Sequence, residues 1–353
     1  MTALNAHLTH AVNTSRRSAQ ALPSPALLRQ TLPLPDQLAA QIQTQRTQIR
    51  RVLNGQDPRL LVVVGPCSLH DRDSALEYAE RLAALTPMVS DQLLLVMRAY
   101  VEKPRTTVGW KGLLYDPHLD DSCDMAAGLH LSRQLMLDMI EMGLPVASEL
   151  LQPMTAGYFD DLLGWAAIGA RTSESQIHRE MVSGLGLPVG FKNGTDGSLG
   201  IACDAMRSAQ HAHQHFGLDE LGHPALVATS GNHDTHIVLR GGHQGPNFSA
   251  EHVQEARAAL EAQGLAARIM VDCSHANSGK DPVRQPMVLE SVVDQRLNGD
   301  LSLRGVMLES HLFEGAQKIS CQMRYGVSIT DACLGFNDTE RVLQQAAERL
   351  RRA

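Results

Sequence analysis

Hydrophobic positions along the chain gather into short continuous runs. They appear at "RLLVVVG" (59–65), "QLLLVMR" (92–98), "LPVASEL" (144–150), "WAAIGAR" (165–171), "LPVGFKN" (187–193), "HIVLRGG" (236–242), "RIMVDCS" (268–274) and "LRGVMLES" (303–310). A strand with one wet face alternates apolar and polar residues, whereas one covered on both faces reads as a run. Most of the intervals show apolar residues three to four apart, as in 71–85, 124–143 and 249–264, which predicts helices. The same spacing over 35–55 predicts a helix opened by Pro35 and Asp36 and closed by Gly55. Eight strands alternating with helices over about 250 residues predict an α/β fold, a (β/α)8 (TIM) barrel. A doubly wound open sheet competes, but the chain has no GxGxxG loop to support it. Residues 215–230 fit no strand–helix unit and read as an inserted β-hairpin before the sixth strand, within 213–230. Residues 1–35, with Pro23, Pro25, Pro33 and Pro35, read as an irregular arm. The expected division is therefore an arm and helix over 1–55 and a barrel over 56–353.

Composition narrows the function. The 353 residues are 43% hydrophobic, enough for a large core, and carry a net charge of −7 without like-charged blocks. Nothing here favours nucleic acid or a membrane surface, and no apolar run nears the ~20 residues of a membrane span. The N-terminus lacks the apolar core of a secretion signal, and its weak helical amphipathicity argues against a transit peptide. Six cysteines without CxxC pairs suit a reducing, cytoplasmic setting.

The chemistry lies at one end of every strand. The residues at the predicted C-terminal edges are Cys67, Arg98, Glu149, Arg171, Lys192, Arg240, His275 and Glu309. Singly, each has a bland reading as a surface cation, a buried thiol or a structural histidine. Eight reactive types at the face where a barrel builds its active site form a pattern. Arg98, Lys103, Arg105, Arg171, Lys192 and Arg240 are more cations than one monoanion needs, and they imply two anionic substrates or one polyanion. Lys103 and Arg105 flank Pro104 in "AYVEKPRTTVGWKGLLYDP" (99–117), where proline stiffens the presentation of both. Cys67, His275, Glu309 and Asp331 are one sulfur, one imidazole and two carboxylates. That set suits a divalent transition metal, Mn, Fe, Co or Zn, and not the all-oxygen shells of Ca or Mg.

Beyond this point the motifs resemble a family. "GPCSLHD" (65–71), "RAYVEKPRTTVGWKGLLYDP" (98–117), the run 148–180, "PVGFKNGTDGS" (188–198), "SGNHDTHIVLRGG" (230–242), "VDCSHANSGK" (271–280), "GVMLESHLFEG" (305–315) and "YGVSITDACLGF" (325–336) resemble the type I 3-deoxy-D-arabino-heptulosonate 7-phosphate (DAHP) synthases. The resemblance runs from about residue 36 to the C-terminus. It implies a metal-dependent condensation of phosphoenolpyruvate (PEP) with erythrose 4-phosphate and water, releasing phosphate, at the start of aromatic amino-acid synthesis. By motif it assigns Cys67, His275, Glu309 and Asp331 to the metal. It assigns Arg98, Lys103, Glu149, Arg171, Lys192 and Arg240 to PEP, and Lys103, Pro104, Arg105 and Thr106 to erythrose 4-phosphate. Lys103 then stands between both substrates and is the candidate proton donor, with Cys67 and His275 beside the chemistry.

The resemblance also implies a homodimer or homotetramer and inhibition by an aromatic amino acid bound near the arm and hairpin. Gly217 would leave room for a phenol oxygen, with His215 as its polar partner, which favours tyrosine. A turn-forming role is the plain alternative for Gly217. The sister enzyme 3-deoxy-D-manno-octulosonate 8-phosphate synthase is disfavoured by "KPRT", where it has a "KANRS"-like motif. A class II aldolase would need a His-dominated metal site, and a non-catalytic phosphometabolite-binding barrel would be expected to lack part of this set. "HAHQH" (211–215) reads as solvated surface. Cys123, Cys203, Cys273 and Cys321 read as unreactive, and Cys333, two residues from Asp331, as a partner for Cys67 on oxidation.

Overall fold

The computed structural model describes residues 20–352. In chain order its elements are α1 (Pro25–Thr31), α2 (Asp36–Leu53), β1 (Leu60–Gly65), α3 (Arg72–Val89), β2 (Leu93–Arg98), α4 (Met125–Glu141), β3 (Val146–Glu149), α5 (Ala156–Phe159) and β4 (Leu163–Ile168). There follow α6 (Gln176–Ser183), β5 (Val189–Lys192), α7 (Gly200–Ala209), β6 (Gln214–Leu218), β7 (Pro224–Ala228), β8 (Thr235–Leu239) and α8 (Ala250–Ala262). The chain ends with β9 (Ile269–Asp272), α9 (Gln285–Leu297), β10 (Leu303–His311), β11 (Leu334–Gly335) and α10 (Phe336–Arg351).

Eight parallel strands run in the order β1-β2-β3-β4-β5-β8-β9-β10, and β10 pairs back with β1, so the sheet closes into a barrel. The closing register sets Leu61 opposite Gly305 and Gly65 opposite Glu309. Alternate residues of each strand serve different cores. Leu60, Val62 and Val64 pack outward under the helices, whereas Leu61 and Val63 point inward with Trp165, Val238, Met270 and Met307. Both faces are covered, which is why these strands are apolar throughout.

The helix α2 closes one end of the barrel. Its Ile49, Val52 and Leu53 join the inward-facing set, and Arg46 Nε donates to the carbonyl of Leu163 at the start of β4 at 2.8 Å. The C-terminal strand ends, with the reactive residue types, lie at the other end.

Three elements differ from the sequence expectation. The proline-rich arm contains α1: Ser24 Oγ accepts from Leu27 N at 3.2 Å, and Pro25 occupies the first helical position, where its missing N–H costs nothing. The fourth strand is Leu163–Ile168, not 165–171, so Arg171 lies three residues past its end, in an exposed turn. The third helix continues through Pro87 to Val89. The expectations for residues 1–19 lie outside the described residues.

Between α7 and β8 stands the antiparallel hairpin β6–β7, with Gln214 opposite Ala228 and Leu218 opposite Pro224. Its tip is tied to the arm, since Ala26 N donates to Glu220 O at 2.9 Å. A side chain at Gly217 would meet Val227 Cγ2 at 2.7 Å, so the cross-strand valine would have to shift to admit one. His215 lies two residue pairs away, opposite Val227, with its Nδ1 at 3.1 Å from Phe216 O. In the "HAHQH" stretch, His211 and His213 meet the last carbonyls of α7, Arg207 O at 2.7 Å and Ser208 O at 2.8 Å.

Candidate active site

The strand ends opposite α2 bring the reactive residues together. Cys67 follows β1 through Gly65 and Pro66. Gly65 has φ +154°, and a Cβ there would lie 2.8 Å from Arg98 O, so only glycine lets the two strand ends approach. Arg98 closes β2, 2% exposed, and most of its donors serve the protein. Its Nε donates to Pro66 O at 3.0 Å, and its Nη2 to Glu309 Oε1 at 2.8 Å and to Cys67 O at 3.3 Å. Its guanidinium carbon lies 3.6 Å from the centroid of the Tyr100 ring. Arg98 thus grips the residues around Cys67 and Glu309 and does not line the cavity beside them.

Among the described residues, Cys67, Glu309 and Asp331 place one donor atom each within 4.8 Å of the others. Lys103 reaches the same spot. Its Nζ is 2.9 Å from Cys67 Sγ and 2.8 Å from Asp331 Oδ2. The fourth expected ligand, His275, is not in that close group. Its Nδ1 stands 2.9 Å from Asp272 Oδ2, and its backbone is left-handed at φ +53°. That backbone is closed by Lys280 N donating to His275 O at 2.7 Å.

The charges are interdependent. Burial works to raise the Glu309 carboxyl, but His275, Arg98 and Lys103 together hold it below its ordinary value. Burial likewise opposes ionisation of Asp331, and Lys103, by charge and hydrogen bond, overrides it. Asp272 is fully buried, yet His275 and Lys192 keep it well below the usual carboxylate range. The Cys67 thiol goes the other way, pushed up by burial and by Glu309, with Lys103 opposing. Lys103, despite its own burial, is held protonated by Cys67, Glu309 and Asp331.

Next to this cluster a cavity opens between Pro104, Glu149, Arg171, Lys192, Arg240 and His275. Lys192 is 3% exposed and lies 3.3 Å from Asp272 Oδ2 and 3.9 Å from Glu149 Oε2. Arg171 and Arg240 are less enclosed and present cations to the opening. Arg105 and Thr106 are exposed on the loop that carries Pro104, with Arg105 Nε bonded to Trp110 O at 2.7 Å. The structure therefore gathers two sets, a Cys/Glu/Asp cluster bridged by Lys103 and a cationic cavity.

Sequence reasoning missed the groups that hold these sets in place. A buried amide network fixes β5, β8 and β9 to one another. Asn193 Oδ1 accepts from Arg240 N at 2.8 Å, Asn247 Oδ1 from Gly241 N at 2.7 Å, and Asn277 Oδ1 from Asn247 N at 2.8 Å. Gln285 bonds both backbone groups of Glu309, at 2.9 and 2.8 Å, and Ser274 Oγ donates to Glu309 Oε2 at 2.7 Å. Asn193, Ser274 and Asn277 sit inside the motifs "FKNG" and "CSHANSG". The sequence shows them only as neighbours of Lys192 and His275, and nothing in it marks their burial or their partners.

The chain is similar to known proteins over most of its length. The profile of the DAHP synthetase I family matches residues 38–344. The chain is 52% identical over 329 residues to the "Phospho-2-dehydro-3-deoxyheptonate aldolase, Tyr-sensitive" of Escherichia coli (strain K12), covering 92% of each chain. It is 50% identical over 325 residues to the Phe-sensitive protein of the same name from that organism, covering 92% of this chain and 93% of the relative. A solved structure of phospho-2-dehydro-3-deoxyheptonate aldolase from Francisella tularensis SCHU S4 superimposes with a TM-score of 0.93 at 42% identity, over 95% of this chain and 98% of that one.

Proposed function

The chain belongs to the DAHP synthetase I family and is an enzyme of that kind, a 3-deoxy-7-phosphoheptulonate synthase of aromatic amino-acid biosynthesis, and from this premise we propose how its own residues divide the work. The observation that carries the reading is Lys103, which bonds Cys67 and Asp331 of the cluster and is followed directly by Pro104, a residue of the cavity wall.

In the reaction, C3 of PEP bonds to the aldehyde carbon of erythrose 4-phosphate, water adds at C2 of PEP, and the C2–O bond to phosphate breaks. Arg171, Lys192 and Arg240 hold the phosphate and carboxylate of PEP by charge-assisted bonds, with Glu149 orienting Lys192. Lys103, Pro104, Arg105 and Thr106 present the aldose phosphate. Holding both substrates removes most of the entropic cost of the bimolecular step. Lys103 enters protonated, and its Nζ delivers a proton to the alkoxide formed as the carbon–carbon bond closes. Arg98 keeps Glu309 ionised and fixed.

The cluster fits a divalent transition metal, because a thiol and two carboxylates converge at ligand spacing around a single point. Cys67, Glu309 and Asp331 would hold it, and His275 would add a nitrogen through Nε2 while Asp272 engages Nδ1. Such an ion supplies Lewis acidity at the aldehyde oxygen when bound. An aromatic amino acid is the feedback effector in this reading, with tyrosine favoured and the hairpin near Gly217 and His215 as its site.

The test is phosphate release from PEP and erythrose 4-phosphate with and without chelator, repeated with Tyr and Phe. Activity that needs both substrates, is lost on chelation and returns with metal is expected. Full activity after chelation would sink the metal assignment. Stronger inhibition by phenylalanine would sink the choice of tyrosine.

A further inference from the structure

We propose that Glu102 is a positioning residue for the loop that presents the aldose phosphate, an inference that rests on the reading of that loop given above. Its carboxylate is 2% exposed and has no ion-pair partner among the described residues. Its Oε2 accepts from Thr155 Oγ1 at 3.0 Å, from Leu151 N at 3.3 Å and from Gln152 N at 3.5 Å. Its Oε1 faces Tyr115 Oη at 3.4 Å. The first three donors belong to the turn after β3, and the fourth to the far end of the loop after β2. One side chain thus pins two segments that are not otherwise joined at this point.

A buried carboxylate without a counter-charge is expensive, so it is tolerated where its donors do something specific. Burial, opposed by these hydrogen bonds, pushes this group up to about 7. The loop beyond it is bonded mainly to itself. Lys103 N donates to Lys111 O at 2.8 Å, Arg105 Nε to Trp110 O at 2.7 Å, and Trp110 Nε1 to Asp116 O at 2.9 Å. Glu102 is the point at which that self-bonded loop is fastened to the neighbouring strand end, immediately before Lys103. Arg171, Lys192 and Arg240 stand on other strand ends, and none of them bonds Glu102, although Leu151, which does, lines the same cavity. Loosening Glu102 should then displace the groups for the aldose phosphate and leave most of the PEP site intact.

The experiment compares wild type, Glu102→Ala and Glu102→Gln as full chains, by steady-state kinetics and by amide hydrogen exchange without substrate. Glutamine keeps an acceptor for Thr155 and Leu151 and can donate to Tyr115 Oη. Glu102→Ala should raise the KM for erythrose 4-phosphate about tenfold or more, change that for PEP by less than about threefold, and speed exchange through 103–111. Glu102→Gln should restore all three to near wild type. Unchanged exchange in Glu102→Ala, equal rises in both KM values, or a Gln variant as impaired as the Ala variant would overturn the assignment. If wild type makes no product from these substrates, the reading of the reaction falls, and the exchange comparison still decides whether Glu102 fastens the loop.

Discussion

Arg98 and Arg105 lie seven residues apart and sit in opposite environments. Arg98 is enclosed, stacked on Tyr100 and bonded to Glu309, whereas Arg105 is exposed, with one donor tied to Trp110 O and its other nitrogens free to take an anion. We expect Arg105→Ala to raise the KM for erythrose 4-phosphate well above any change for PEP, since one forked phosphate contact is worth roughly 1.5–3 kcal/mol. Arg240→Ala should do the reverse, and equal effects on both substrates would refute the division. Glu102 allows a pH prediction with a definite sign. Its value of about 7 is above that of an unfolded glutamate, so the folded chain takes up a proton that the unfolded chain does not. The group therefore costs stability as pH rises from about 4.5 to 7 and the cost is complete above that. Glu102→Gln should be more stable than wild type at pH 8, by something on the order of 2 kcal/mol, and lose that advantage by pH 5. Melting temperatures that do not differ with pH would contradict it. Reactive residues were legible because a lysine or cysteine at the end of an apolar run is conspicuous. The amides of Asn193, Asn247 and Asn277 were not, because their partners lie on other strands and adjacency along the chain says nothing of them.

Among the elements, the strands were legible where a run is buried on both sides, and the frame slipped where small residues blur its edges. The fourth strand starts at Leu163 rather than at Trp165, and Gly164 within it leaves room beside Ile49 of the helix that closes the barrel, where a Cβ would lie 3.4 Å from Ile49 Cδ1. The helix α1 was hidden by its prolines, which mark a beginning when one of them follows a capping serine. Its attachment combines the buried Leu28 with a polar network. Arg133 on α4 is fully buried and donates to Leu32 O at 2.9 Å, to Tyr158 O at 2.9 Å and to both oxygens of Asp161 at 2.9 and 2.7 Å. Arg29 adds a bond to Gly157 O at 2.6 Å. Arg133→Ala would leave Asp161 with only Arg29, 3.8 Å away, and two carbonyls without partners, so we expect a loss of about 2 kcal/mol or more. Urea unfolding should show a lower midpoint with an unchanged slope. A loss under about 1 kcal/mol would mean that water replaces the guanidinium.

At the scale of the molecule, eight strand ends meet on one face because the ring is shut by its first and last members. β1 and β10 are separated by most of the chain, and the register from Leu61–Gly305 to Gly65–Glu309 forms only when both are present. The same pairing sets the ends of the two strands that lead to Cys67 and carry Glu309 side by side, so barrel closure also joins two of the three cluster members. This has a consequence for manufacture in the cell. A nascent chain emerging from the ribosome offers Leu61, Val63, Val96 and Trp165 with no closed interior to receive them, until nearly nine-tenths of it has been translated. A chain stalled before residue 303 should be open to protease and should recruit a holding chaperone. Release of a few dozen more residues should abolish both behaviours together, as a single late step in biogenesis.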